Sequence, residues 1–254
     1  MRVHVFSDGD TLVTLCNSTF ERALDRYSSH PVLEPTYNPA VLRRAPSLAS
    51  DISELLQIPE SSWKTHAIHQ NLMANPPAGL TEYIERIQDL ANSANPSLLL
   101  AHSYVRYLGD LSGGQNMRHI LGKAYDLQDD RGLSFYVFKE LKSPKPASLG
   151  EMKRIKDWFR AGMDTGGKAV PEELKGELTT TLVPIHSANT RKGELAEEAK
   201  KVFYLNAGIF NAIRVEPPAS KVVFDARKDT SSSWPWGDRA ISLSSVIPVV
   251  AASK

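Results

Sequence analysis

Residues 96 to 125 combine two features that seldom share one helix. Apolar side chains recur at a 3.6-residue period on both sides of the middle, first Leu98, Leu99, Leu100, Tyr104, Tyr107 and Leu108, then Met117, Ile120, Leu121 and Ala124. The middle carries Gly109, Gly113 and Gly114, each about 1 kcal/mol less favourable in a helix than alanine. Two arrangements satisfy this pattern. The helix breaks at the glycines into two core helices, or it continues with a kink and uses Gly109 and Gly113, four apart on one face, to let something flat approach its backbone.

The remaining chain is also patterned for helices. Phe20, Ala23, Leu24 and Tyr27 make one stripe over residues 18 to 27, and the prolines between 31 and 39 end it. Short helices are expected over 50 to 56 and around Trp63, Ala67 and Ile68, and a longer one over 80 to 94 through Leu80, Tyr83, Ile84, Ile87 and Leu90. Asn95 and Pro96 fit the N-cap and first position of the glycine-bearing helix. Residues 133 to 138 (LSFYVF) suit a short strand or an extended connector. A basic helix is predicted over 149 to 163, and a last one over 195 to 213 with Ala199, Val202, Phe203, Asn206, Ile209, Phe210 and Ile213 turned inward. Residues 178 to 192 read as an insertion between these two, and from 215 to 254 the composition shifts to a tail expected to be disordered.

Charge and cysteine content narrow the function classes. Thirty basic against 29 acidic side chains give a net charge of +1, which argues against nucleic acid or an anionic membrane surface as partner. No run approaches the ~18 apolar residues that span a bilayer, and Asp8 and Asp10 interrupt the first apolar stretch, against a secretory signal. The single Cys16 makes no internal disulfide, so an intracellular location, cytoplasmic or peripheral to an internal membrane, is expected. The seven histidines show no metal-site spacing.

The segment HSYVRYLGDLSGGQ (102 to 115) resembles the signature of the heme oxygenase family. PVLEPTYNPAVL (31 to 42), LLLA (98 to 101), GLSFYVF (132 to 138), KDWFRAGM (156 to 163) and EEAKKVFYLNAGIF (197 to 210) resemble further family segments in the same order. The resemblance spans about residues 20 to 214, giving a domain over 18 to 214 and an atypical segment over 1 to 17. It implies an all-α, multi-helical single domain whose kinked glycine helix forms the distal wall of a heme pocket. The implied reaction is oxidative cleavage of heme to biliverdin, carbon monoxide and ferrous iron. Dioxygen is consumed, and electrons come from NADPH through a reductase.

The family also implies roles for particular residues. Gly109 and Gly113 would lie over the heme plane, and Asp110 would hold ordered water that delivers a proton to the reacting oxygen, with Arg106, Tyr37 and Tyr104 in that network or the pocket wall. Lys156 and Arg160 would grip the heme propionates, and Phe203 and Phe210 would line the apolar cavity. Heme and a reductase are the implied partners, the chain acting as a monomer without a transmembrane anchor. One element departs from the family. Its iron-binding histidine lies on a helix preceding the one matched by Phe20 to Tyr27, and His4, followed by Ser7, Asp8, Gly9 and Asp10, does not resemble it. The metal ligand is therefore left unassigned. A heme carrier or sensor of the same fold, impaired in catalysis, is the alternative.

Overall fold

A computed structural model describes residues 2 to 127, 129 to 170 and 194 to 213, with side chains from residue 9 onward. Chain contacts separate residues 1 to 215 from 216 to 254. All described residues belong to the first unit. The insertion expected over 178 to 192 and the tail expected over 215 to 254 lie outside the described residues.

The first helix, α1 (Arg2–Arg26), is longer than its apolar stripe suggested and runs without a break through the described residues 2 to 17 of the segment set apart. Its inner side buries Leu12, Cys16, Phe20, Ala23 and Leu24. The expected stripe therefore extends two turns toward the N-terminus. A short α2 (Pro39–Leu42) and then α3 (Ala45–Leu56) follow, and α3 packs along α1. Next come α4 (Ala67–Ala74) and α5 (Ala78–Asn92). At α5, Leu80, Tyr83, Ile87 and Leu90 face the core as their spacing predicts.

Asn95 caps the glycine-bearing helix by accepting the Ser97 N–H at 3.0 Å. That helix is continuous but irregular. It comprises α6 (Leu99–Ser103), a wide π turn over Tyr104–Leu108, α7 (Gly109–Ser112) and α8 (Gly114–Tyr125). The irregularity sits one turn ahead of the glycines, because a π turn inserts an extra residue and re-aims the faces on either side. Residues 133 to 138 form neither strand nor fully extended connector, but a 3-10 turn over Ser134–Tyr136. Two helices complete the described fold, α9 (Leu149–Ala169) and α10 (Glu194–Asn211).

The two crossings that matter for the site involve α10. It packs on α5 where Gly79 meets Gly208, and a Cβ on Gly79 would stand 2.5 Å from the Gly208 carbonyl, so the helices touch backbone to backbone. It also packs on α6 through a buried triad. Glu198 Oε1 accepts from His102 Nε2 at 2.9 Å and from Arg86 Nε at 2.9 Å, tying α5, α6 and α10 together. Burial would raise the Glu198 carboxyl, but the bonds from His102 and Arg86 outweigh it and hold it at about 2. Burial keeps His102 below its ordinary value despite the pull of Glu198. Glu198→Ala strands a fully buried imidazole and leaves Arg86 unpaired, so unfolding free energy is expected to fall by about 3–5 kcal/mol. Urea denaturation checks this.

Candidate active site

The glycines on the irregular helix are not there for their backbone angles. Gly109 has φ −60° and ψ −51°, and Gly113 has φ −69° and ψ −29°, ordinary helical values that alanine adopts as readily. Nor does packing require them. A Cβ on Gly109 would meet nothing within 4 Å, and one on Gly113 only the Gly109 carbonyl at 3.6 Å. Both open onto free space, so the missing side chains leave a flat strip of helix backbone exposed.

Large apolar side chains on α8 and α10 are also turned outward. Met117 and Ile120 of α8 are 45% and 55% exposed, and Phe203 and Phe210 of α10 are 56% and 65% exposed. The two phenylalanines were expected inward with the stripe of the last helix. Instead Val202, Leu205 and Ile209 fill the core, and Phe203 and Phe210 occupy the neighbouring face. Asn206 lies between them in the same stripe and accepts a bond from Arg106 Nη1 at 2.9 Å. This bond sets the phenylalanine face of α10 beside the helix turn that precedes Gly109. Large apolar residues rarely cluster in the open without something to cover them.

Asp110 follows Gly109 on the same helix. Its Oδ2 is closed off from solvent and has no protein partner. Burial pushes its carboxyl up to about 6, against the pull of the Arg106 and Arg44 guanidinium groups. Arg106 is buried, its guanidinium 5.9 Å from the centre of the Tyr83 ring. Tyr83 is fully buried with an unpartnered hydroxyl, which burial drives well above its usual range. An acid poised near neutrality, a buried cation and a buried phenol are thus coupled around the helix that carries the glycine strip. The folded chain holds the Asp110 proton to higher pH than the unfolded chain. Its contribution to stability is therefore lost as pH rises from about 4 through 6. Asp110→Asn is expected to reduce the fall in urea midpoint between pH 4 and pH 8.

The other expected residues are distributed unevenly. Tyr104, half-buried on the π turn, packs against the core beside Arg106. Tyr37 is not joined to Asp110. Its hydroxyl donates to Asp25 Oδ1 at 2.8 Å, and Arg43 pairs with the same carboxylate at 2.6 Å. Lys156 and Arg160 lie one turn apart on α9, which reaches the π turn through Tyr107 and Phe159, rings 6.2 Å apart. Neither bonds to Asp110 or Arg106, and Arg160 faces Asp157 at 3.5 Å.

Tyr83, Asn206 and Arg44 are members of the site that sequence reasoning did not single out. For Asn206 a signal existed, an amide in an otherwise apolar stripe. Arg44 carried none. It is buried and donates to the carbonyls of Val41, Phe135 and Val137 at 2.8 to 3.1 Å, which only the folded chain assembles.

Comparison with known proteins bears on this geometry. Residues 11 to 212 match the family model for heme oxygenase. The chain is 28% identical over 198 residues to heme oxygenase 1 of Gallus gallus, covering 78% of this chain and 54% of that protein. It spans about half to three fifths of the length of the curated relatives it matches. Among solved structures it is similar to the heme oxygenase of Leptospira interrogans, with TM-score 0.60, 26% identity and 83% of each chain covered. It is also similar to heme oxygenase-2 of Synechocystis, solved in complex with heme and NO, with TM-score 0.62, 25% identity and coverage of 84% and 72%. Those proteins and this one share all-helical architecture, and the family match takes in the glycine strip, Asp110 and the α10 face alike: the chain belongs to the heme oxygenase family.

Proposed function

We propose that the chain binds heme against the Gly109 and Gly113 strip and cleaves it oxidatively to biliverdin, carbon monoxide and ferrous iron. The observation that carries this is the pairing of an open backbone strip at Gly109 and Gly113 with Asp110, an acid on the same helix whose Oδ2 is closed off from solvent. The residues present fit a flat macrocycle. Gly109 and Gly113 admit its face, Phe203, Phe210, Met117 and Ile120 cover its apolar rim, and Lys156 and Arg160 supply cations for its two carboxylates. When bound, heme supplies the redox-active iron and is itself the molecule oxidised.

The chain's own residues then do three things. The Arg106 bond to Asn206 fixes the turn ahead of Gly109 against α10, which keeps the strip flat. Asp110, with its carboxyl near 6, is mostly ionised at neutral pH but close enough to neutrality to take up a proton and release it near the strip. Apolar rim residues exclude bulk water from the covered face. Dioxygen is the oxidant, an NADPH-dependent reductase the electron source, and the working form an intracellular monomer.

A binding-only protein is the second reading, favoured by how the described histidines are used. His102 is committed to Glu198, His30 and His66 turn Nδ1 toward the backbone N–H groups of Val32 and Ile68, and His69 packs edge-on against Trp63. His119 lies six residues past Gly113 on the same helix, off the glycine strip. One experiment separates the two. The chain is mixed with hemin and a reductant in air, and the Soret and biliverdin bands are followed. Cleavage gives a shifted Soret band that decays as biliverdin appears, and binding alone gives a stable shifted band. An unshifted Soret band defeats both.

A further inference from the structure

The inward face of α9 changes character along its length. Its buried residues are Met152, Ile155, Phe159, Gly162, Met163 and Gly166, so large side chains fill the first half and two glycines enter in the second. Glycine is disfavoured in a helix relative to alanine, and neither Gly162 nor Gly166 has a left-handed backbone angle that would call for it. Close approach is the reason. A Cβ on Gly162 would run into the Pro35 carbonyl and stand 3.1 Å from Thr36 Cγ2, and one on Gly166 would run into the Val32 carbonyl and stand 3.6 Å from Leu100 Cδ1. Gly167, the next residue, differs, since a Cβ there meets nothing within 4 Å.

The carbonyls that seat α9 belong to the turn after α1, and that turn is fastened. The His30 carbonyl accepts the Leu33 and Glu34 N–H groups at 2.8 and 2.9 Å, and the Thr36 hydroxyl donates to the Leu33 carbonyl at 3.1 Å. Tyr37, at the end of the turn, ties it to α1 through Asp25 at 2.8 Å. A methyl added at Gly162 or Gly166 therefore displaces α9 rather than its seat. At the other end of the same face, Phe159 sets its ring 6.2 Å from that of Tyr107 on the π turn, which leads directly into Gly109. Lys156 and Arg160 lie three residues before Phe159 and one after it. The contacts that seat the helix thus also set where its two cations stand relative to the glycine strip.

We propose that Gly162 and Gly166 are positioning residues: by letting α9 settle on the Val32 and Pro35 carbonyls, they set the reach of Lys156 and Arg160 toward the carboxylates of heme, and so decide which carbon bridge of the macrocycle is cut. The bridges between its pyrrole rings have similar chemical surroundings, so orientation rather than reactivity selects among them. Charge-assisted bonds to the carboxylates orient the ring, and their geometry follows the helix backbone that carries the cations. The glycines touch no substrate and act through Lys156 and Arg160. This role deepens the proposed heme cleavage and rests on it, whereas the glycine seat is a property of the chain alone.

The test has two arms, with Gly167→Ala as the control in both. Without heme, the urea midpoint is expected to fall in Gly162→Ala and Gly166→Ala and to stay level or rise in Gly167→Ala. Seat variants as stable as the control overturn the proposal, whether or not the chain degrades heme. With hemin, the seat variants are expected to change the shape of the circular dichroism induced in the Soret band, and to shift the ratio of biliverdin isomers by about threefold or more, while Gly167→Ala keeps the parent's values. Seat variants that lose stability but keep the parent's dichroism and isomer ratio overturn the positioning role and leave the heme reading intact, since a contact that only holds the fold behaves in that way. If neither seat variant folds, Lys156→Ala and Arg160→Ala decide: a shift in dichroism and isomer ratio supports the proposal, and indifference to both substitutions overturns it. A parent that binds hemin without cleaving it defeats the proposed cleavage, and the dichroism alone then decides the positioning. A parent that leaves hemin unbound overturns the heme reading and this role with it, and the urea arm then reports on the seat alone.

Discussion

Asp110→Asn is expected to slow heme breakdown by about 10²-fold or more while hemin affinity changes by less than about threefold. The substitution conserves shape but removes the negative charge that Asp110 mostly carries at neutral pH beside Arg106 and Arg44. It also removes a carboxyl that can take up a proton and release it. The carboxyl sits near 6 because burial raises it and two guanidinium groups pull it back, which places it where a proton is both held and released near neutrality. Rapid-mixing absorbance on the hemin complex with a reductant measures both quantities. A variant that made biliverdin at the parent rate would mean Asp110 is only a structural acid.

Gly109→Phe is expected to abolish hemin binding without harming the fold. The position has helical φ and ψ and nothing within 4 Å of a Cβ, so a larger residue enters open space at no packing cost. Replacing glycine in a helix also removes a penalty of up to about 1 kcal/mol. The melting temperature should stay level or rise. Binding should fall by 100-fold or more, on the order of 3 kcal/mol, because the ring stands where the macrocycle needs contact with the backbone. A residue whose replacement stabilises the chain and destroys a function is a residue kept for that function.

Much of this was legible in the sequence because helix periodicity is a local signal. The stripe on α5, the helix predicted from residue 149 and the Asn95 cap follow from local spacing, and the structure places them where it implies; of the two arrangements open at the glycines it shows the continuous one. The irregularity was expected at the glycines and lies at Tyr104–Leu108, since a π turn leaves no compositional mark. Phe203 and Phe210 were expected inward because periodicity tells that a face is apolar, not whether anything covers it. Arg44 and Asp51, which fasten the Ser134–Tyr136 turn across 80 to 90 residues of sequence, were invisible for the same reason that tertiary hydrogen bonds always are. Asp10 was read as an interruption of an apolar stretch, and only the continuity of α1 shows that it faces the interior.

The central claim is that the open strip at Gly109 and Gly113 is the heme surface. Hemin titration of the parent and of Gly109→Phe, followed at the Soret band with thermal unfolding of both recorded alongside, tests it most directly. The account predicts a saturable one-to-one shift in the parent and none in Gly109→Phe at equal or higher melting temperature. Equal hemin affinity in the two folded proteins would contradict it.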